Sequence, residues 1–249
     1  MTTAAVFGCT GAVGSQILAT LLATDAFSTV KTISRRLPNA QSPKLQALEE
    51  SDTSKWGSMI SSLSPKPSMV FNAVGTTTAT AGSIKNQWKI DHDLCVENAR
   101  AAKEAGVKTY IYISSGGTRS LLWGWVPYSK MKVGVEDAIK GLGFDNAIIL
   151  RPGMIIGREE SKSFFLEKFV EGLQRLGQGV QDKVGMDVLI NECFVRFGAN
   201  SVRAGQNQTT IGRAAVAAAR MAEQGKAPSN YWVLEQSDIV RLGRDEWKD

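Results

Sequence analysis

Three glycines at a spacing of three, Gly8, Gly11 and Gly14, leave this chain little freedom in how it begins to fold. Ahead of them runs Ala4 to Phe7, uncharged throughout, which reads as a buried parallel strand. Behind them, Ile17 to Leu22 continues as an apolar stretch at helical spacing. Strand, glycine turn and helix in that order form a cradle for a dinucleotide pyrophosphate. Gly8 lets the chain turn off the strand, Gly11 leaves room for the phosphates, and Gly14 lets the helix pack close to the sheet. The helix N-terminus adds free N–H groups and a partial positive charge. The expected cradle is Gly8, Thr10, Gly11, Ala12, Val13 and Gly14.

The 249 residues suffice for one large α/β domain, or one domain plus a small lobe. A net charge of +5 is carried by scattered basic residues, so nucleic-acid binding has no footprint. Cys9, Cys95 and Cys193 are too far apart to suggest a disulfide framework or a zinc site, and no metal is expected. The N-terminus enters its first strand without a basic region, so no secretory signal is expected. No apolar run approaches the roughly 20 residues that span a bilayer.

In chain order, the pattern predicts a helix from about Ala12 to Ala23 and a second strand from Val30 to Ser34. The corner after that strand is where the adenosine ribose is read, an acid binding the 2′-hydroxyl of NAD and an arginine the 2′-phosphate of NADP. Here it holds Ser34, Arg35 and Arg36, with no acid until Glu49, which points to NADP. A strand at Lys44 to Leu48, a helix at Ser54 to Leu63 and a strand at Met69 to Val74 follow. The small-residue loop Gly75 to Gly82 then leaves a strand's carboxyl end, where cofactor crevices form. One long helix is expected from Ser83 to Ala105; its His92, the chain's single histidine, reads as a surface or cap residue. Strands at Lys108 to Ser114 and Ala147 to Leu150 flank a helix opened by Pro127. Beyond Arg158, helices are expected at Ser163 to Leu176 and Ile211 to Gln224, a loop at Gly177 to Gly185, and an ordered tail from Tyr231 to Trp247. We therefore expect an α/β chain, a Rossmann-type doubly wound parallel sheet with a small C-terminal substrate-side lobe. Residues 1–249 read as one domain, with 1–157 as core and 158–249 as substrate-side segment and closing elements.

Tyr128 and Lys132 stand four apart, on one helical face. A phenol is a poor proton carrier at neutral pH, and an ammonium one turn away stabilises its anion. Such a tyrosine can protonate a carbonyl oxygen as hydride arrives, while a neighbouring serine hydroxyl holds the carbonyl. Ser114 and Ser115 both stand at the preceding strand's end, with Ser115 favoured. Lys132 can also hold the nicotinamide ribose.

These features, with Gly75-Thr76-Thr77, Ala102-Lys103-x-Ala105-Gly106-Val107, Ile113-Ser114-Ser115 and Leu150-Arg151-Pro152-Gly153, resemble the atypical short-chain dehydrogenase/reductases. Within them the chain is similar to the Tat-interacting oxidoreductase-like proteins. Gly157-Arg158-Glu159-x-Ser161 and the tail from Trp232 to Trp247 look most like their fungal mitochondrial outer-membrane members. The resemblance implies NADP (NADPH), catalytic Ser115, Tyr128 and Lys132, and cofactor contacts at Val74, Gly75, Thr76, Lys132, Pro152 and Ile155. It also implies a peripheral position on the cytosolic face of the outer membrane. Two departures stand out. Only twelve residues separate Ser115 from Tyr128, and Asp91 occupies the place where many reductases carry a structural asparagine. The expected activity is reduction of a small carbonyl compound; a catalytically weak NADP-binding scaffold acting through a protein partner is the alternative. Leu121 to Val126, uncharged and with Trp123 and Trp125, is expected at the mouth of the site, as a pocket wall or a membrane contact.

Overall fold

The computed structural model describes residues 2–120, 124–153, 155–156 and 206–248. The described chain divides into two compact units, one of residues 1–152 with 208–249, the other of residues 153–207.

The first unit is built on seven parallel strands in the order β3-β2-β1-β4-β5-β6-β9. These are β1 (Thr2–Phe7), β2 (Phe27–Ser34), β3 (Leu45–Glu49), β4 (Met69–Asn72), β5 (Thr109–Ile113), β6 (Asn146–Leu150) and β9 (Tyr231–Leu234). The order reverses direction between β1 and β4, which puts a crevice at their carboxyl ends. Ala4 to Phe7, Met69 to Asn72 and Thr109 to Ile113 are buried throughout, as strands covered on both faces must be.

One apolar cluster lies under α1 (Ala12–Ala23) and the other under α2 (Trp56–Ser62), α5 (Leu94–Glu104) and α6 (Pro127–Leu142). Large side chains anchor both: Phe27, Ile17 and Leu21 in the first, Tyr110, Tyr112 and Phe7 in the second. Each fully buried large apolar side chain contributes about 1.5–3 kcal/mol. The alanine-rich helix α7 (Gln208–Glu223) packs closely on α1, with Ala214, Ala215, Ala218 and Ala219 fully buried. Small side chains let the two helix backbones approach, which is why this helix carries so many alanines.

Residues 208–248 supply closing elements of the core. Tyr231 to Leu234 register against Ala147 to Leu150 and complete the core sheet, and α8 (Gln236–Val240) packs with α7. The alternation of Trp232 and Leu234, both buried, with half-buried Tyr231 and Val233 is a strand signal that closes the sheet edge.

The expected helix from Ser83 to Ala105 is interrupted. It forms as α4 (Ile84–Trp88), a π-helical turn (Lys89–Asp93) and α5, after a short α3 (Thr78–Ala81). The second unit contributes two short parallel strands, β7 (Ile155–Ile156) and β8 (Gln206–Asn207). The helix expected at 163–176 and the loop at 177–185 lie outside the described residues. Among the described residues no helix is long and apolar enough to cross a membrane.

Candidate active site

The glycine turn sits where β1 ends. Gly8 adopts a left-handed φ of 78°, and a Cβ there would stand 2.7 Å from the Ala73 carbonyl. Gly14 is forced by contact: its Cβ would lie 2.0 Å from the Gly8 oxygen. Between them the Gly11 N–H donates to the Gly8 carbonyl at 3.0 Å, closing the turn. Gly11 caps α1, and this cap makes no side-chain hydrogen bond among the described residues. Thr10 is exposed, Gly11 and Ala12 are half-buried, and Val13 is buried in the core. These residues fit a dinucleotide: an open helix N-terminus with room above its backbone is what a pyrophosphate requires.

At the end of β2, buried Ser34 donates its hydroxyl to the Arg36 carbonyl at 2.7 Å, which folds the corner back. Arg35 and Arg36 are both exposed, with no ion pair among the described residues. Cys9 lies against the same corner; burial pushes its thiol up, against hydrogen bonds with Ser34 and Thr32. Glu49, distant in sequence, pairs in register with Ser34 on β3, so an exposed acid stands one strand away.

The carboxyl end of β4 turns through Val74, which is buried and whose N–H is held by Asn72 Oδ1 at 3.0 Å. Asn72 in turn donates to the Tyr110 hydroxyl at 2.9 Å. Gly75 and Thr76 follow, and the Thr76 N–H donates to Asp91 Oδ1 at 2.7 Å. Lys132, on α6, reaches into this region. Its Nζ donates to the Tyr112 hydroxyl and the Ile113 carbonyl, both at 3.2 Å, and lies 6.0 Å from the Tyr128 ring centroid. Lys132 is 4% exposed and Tyr128 37%, so the amine is sheltered while the phenol is exposed. A Cβ on Gly75 would lie 3.8 Å from Asp91 Oδ1 and 4.0 Å from Lys132 Nζ. The glycine loop after β4, Asp91 and the Tyr128–Lys132 face therefore converge.

The two serines after β5 have different surroundings. Ser114 is buried and donates to Glu136 Oε1 at 2.6 Å. Glu136, fully buried, also accepts from Arg119 Nε at 3.0 Å and from Arg151 Nε and Nη2 at 3.1 and 2.7 Å. Arg151 reaches on to Glu235 at 2.8 Å, and Arg119 also contacts Asp137. Burial acts to raise the Glu136 carboxyl, but hydrogen bonds from Arg151, Ser114 and Arg119 outweigh it and hold it below the ordinary carboxylate range. Ser115 is half-buried, and its hydroxyl has no hydrogen bond among the described residues. Pro152, buried, accepts the Gly116 N–H at 2.7 Å and so closes the crevice beside β5. Ile155 lies in the second unit, on β7.

Two residues carry more than the sequence expectation gave them. His92 is half-buried: its ring packs on Trp88 at 5.0 Å, and a Cβ on Gly134 would meet its Nε2 at 2.6 Å, so it fills a seam against α6. Asp91 is 1% exposed and faces the site. An acid replacing an asparagine was the available signal for it. Trp125 is 80% exposed with Lys130 Nζ 5.7 Å from its ring centroid. Leu121, Leu122 and Trp123 lie outside the described residues. Among the described residues no cluster of three or more His, Cys, Asp or Glu is placed to hold a metal.

A family model described as the NAD dependent epimerase/dehydratase family matches residues 4–175. The chain is 71% identical over 248 residues to "Protein fmp52-2, mitochondrial" of Aspergillus oryzae, covering 100% of both. It is 49% identical to "Protein fmp-52, mitochondrial" of Neurospora crassa, covering 100% of this chain and 98% of that one. Among solved structures, MoeE5 in complex with UDP-glucose and NAD superposes with a TM-score of 0.61 at 13% identity, covering 98% of this chain and 81% of that one. That likeness is one of fold.

Proposed function

This chain belongs to the NAD dependent epimerase/dehydratase family, alongside the fungal FMP52 proteins, and we propose that it is an NADPH-dependent oxidoreductase that reduces a small carbonyl compound. One observation carries the reading: Lys132 is anchored beneath the Tyr128 ring and beside the Gly75 loop, at the crevice that the α1 N-terminus opens onto. The nicotinamide dinucleotide, when bound, supplies the hydride. Gly11, Ala12 and the first-turn amides of α1 would hold its pyrophosphate, and Val74, Gly75 and Thr76 would line its nicotinamide end. Ser115, whose hydroxyl is free where that of Ser114 is committed, orients the carbonyl oxygen. Tyr128 delivers the proton to that oxygen. Lys132 keeps its Nζ 6.0 Å from the centroid of that phenol ring, within reach of the reacting end of the site. NADPH oxidation with a panel of aldehydes, ketones and quinones tests the reading; no turnover with any of them would count against it.

The choice of NADPH over NADH rests on Arg35 and Arg36. Both are exposed at the end of β2, with no competing partner among the described residues. A hydrogen bond from a guanidinium to a phosphate is worth about 1.5–3 kcal/mol. Replacing both arginines with alanine should therefore weaken NADPH at least tenfold and leave NADH nearly unchanged, read by titration. Equal losses for both cofactors would place the ribose elsewhere.

For localisation we infer a peripheral position on the cytosolic face of the mitochondrial outer membrane. The relatives are named as mitochondrial proteins, and Trp125 stands exposed with a lysine over its ring. An indole with a cationic neighbour is at home in an anionic lipid interface. Trp125→Ala should reduce co-sedimentation with anionic vesicles at low salt without lowering the melting temperature, and Trp123→Ala, beyond the described residues, should act in the same direction. If the wild-type protein stays in the supernatant, attachment belongs to a protein partner.

A further inference from the structure

Two carboxylates are buried among the described residues, and they are balanced differently. Glu136 is gripped by two arginines. Asp91 has no direct ion pair, yet it is 1% exposed. Its Oδ1 accepts from Thr76 N at 2.7 Å and its Oδ2 from Gln87 Nε2 at 3.2 Å. Gln87 also donates to the Thr76 carbonyl at 3.3 Å and accepts from Thr78, so the loop after β4 is tied to this one carboxylate. Asp91 stands within the π-helical turn Lys89–Asp93, where the widened backbone re-aims a side chain that a regular helix would place elsewhere.

An asparagine could accept the Thr76 N–H equally well, so the negative charge needs a reason of its own. The cation it faces is Lys132, which also stands beside Gly75. The acceptors that the lysine does bond, the Tyr112 hydroxyl and the Ile113 carbonyl, are neutral.

We propose that Asp91 is a positioning and charge-balancing residue of the cofactor site. It fixes the Thr76 N–H and opposes the Lys132 charge, so that the site accepts the oxidised, positively charged nicotinamide ring better than it would with a neutral residue there. This rests on the reading that the nicotinamide end lies beside Tyr128 and Lys132. The groups that face Asp91 are Lys132 from α6, Tyr112 from β5 and Cys95 from α5. Burial raises the Asp91 carboxyl, against the Lys132 charge and the hydrogen bonds from Gln87 and Thr76, so the charge is best read at alkaline pH.

The experiment is a pair of binding titrations, NADP⁺ and NADPH without substrate, at about pH 8. For Asp91→Asn the ratio of the NADP⁺ to the NADPH dissociation constant should rise about fivefold or more, the effect of deleting one charge that would act on a cationic ring held at this site. Asp91→Glu, which keeps the charge, should hold the ratio near that of the wild type. A purely structural role would weaken both forms together and leave the ratio in place. Should the asparagine variant fail to fold, Asp91→Ser removes the same charge and should move the ratio the same way. A variant that binds both forms at an unchanged ratio overturns the proposal and leaves the cofactor site standing. A wild-type protein that binds neither form overturns both.

Discussion

Tyr128→Phe should lower kcat for carbonyl reduction by about 10²- to 10⁴-fold, the range that a positioned general acid contributes. The substitution removes one oxygen and nothing that packs, because the ring is 37% exposed and its hydroxyl makes no hydrogen bond among the described residues. NADPH affinity and melting temperature should therefore stay close to those of the wild type. Lys132→Ala is the informative contrast. That lysine is buried, donates to Tyr112 and Ile113, and flanks Gly75. Its loss should reduce turnover and weaken NADPH together, and leave the Tyr112 hydroxyl without its donor. Steady-state rates beside fluorescence titration separate the two variants. A fully active Tyr128→Phe protein would move the chemistry to another group.

What the sequence makes legible follows from how local each signal is. The glycine turn is local: a left-handed Gly8 and a contact-limited Gly14 are required within seven residues, so spacing alone reveals them. Buried strands such as Ala4 to Phe7 and Met69 to Asn72 are legible as uncharged runs, since both sheet faces are covered. Tyr128 and Lys132 are one helical turn apart and are found by periodicity. Non-local features escape. That Ser114 is spent on Glu136 depends on a helix 22 residues later, and the Glu136–Arg151 pair joins α6 to the end of β6. The π-helical turn that brings Asp91 into the site changes no periodic pattern strongly enough to show. Glu49 reaches the corner after β2 only through sheet register with Ser34. Tyr231 to Leu234 could be seen as ordered from its apolar residues, but its place at the sheet edge depends on pairing with residues more than 80 positions earlier.

The largest effect on stability is expected from Glu136→Gln. The carboxylate is fully buried and takes four hydrogen bonds, one from Ser114, one from Arg119 and two from Arg151. Glutamine keeps one oxygen but turns an amide toward the guanidinium groups, which leaves Arg151 with Glu235 and Arg119 with Asp137 as their remaining carboxylates. Breaking a buried pair in this way costs about 3–5 kcal/mol, measured by denaturant unfolding of both proteins. The pH dependence has a definite sign. Because Glu136 is held below the ordinary carboxylate value, its stabilisation is complete above the unfolded-state value near 4.5 and is lost as pH falls through the lower folded value. The difference between wild type and Glu136→Gln should thus be greatest at neutral pH and shrink in acid. A gap that stayed constant from pH 7 to pH 3 would mean that packing, not charge, holds this point. The same network also fixes which serine is available. With Ser114 no longer bound to a carboxylate, its hydroxyl could compete with that of Ser115, so the variant should lose turnover beyond what its residual folded fraction accounts for.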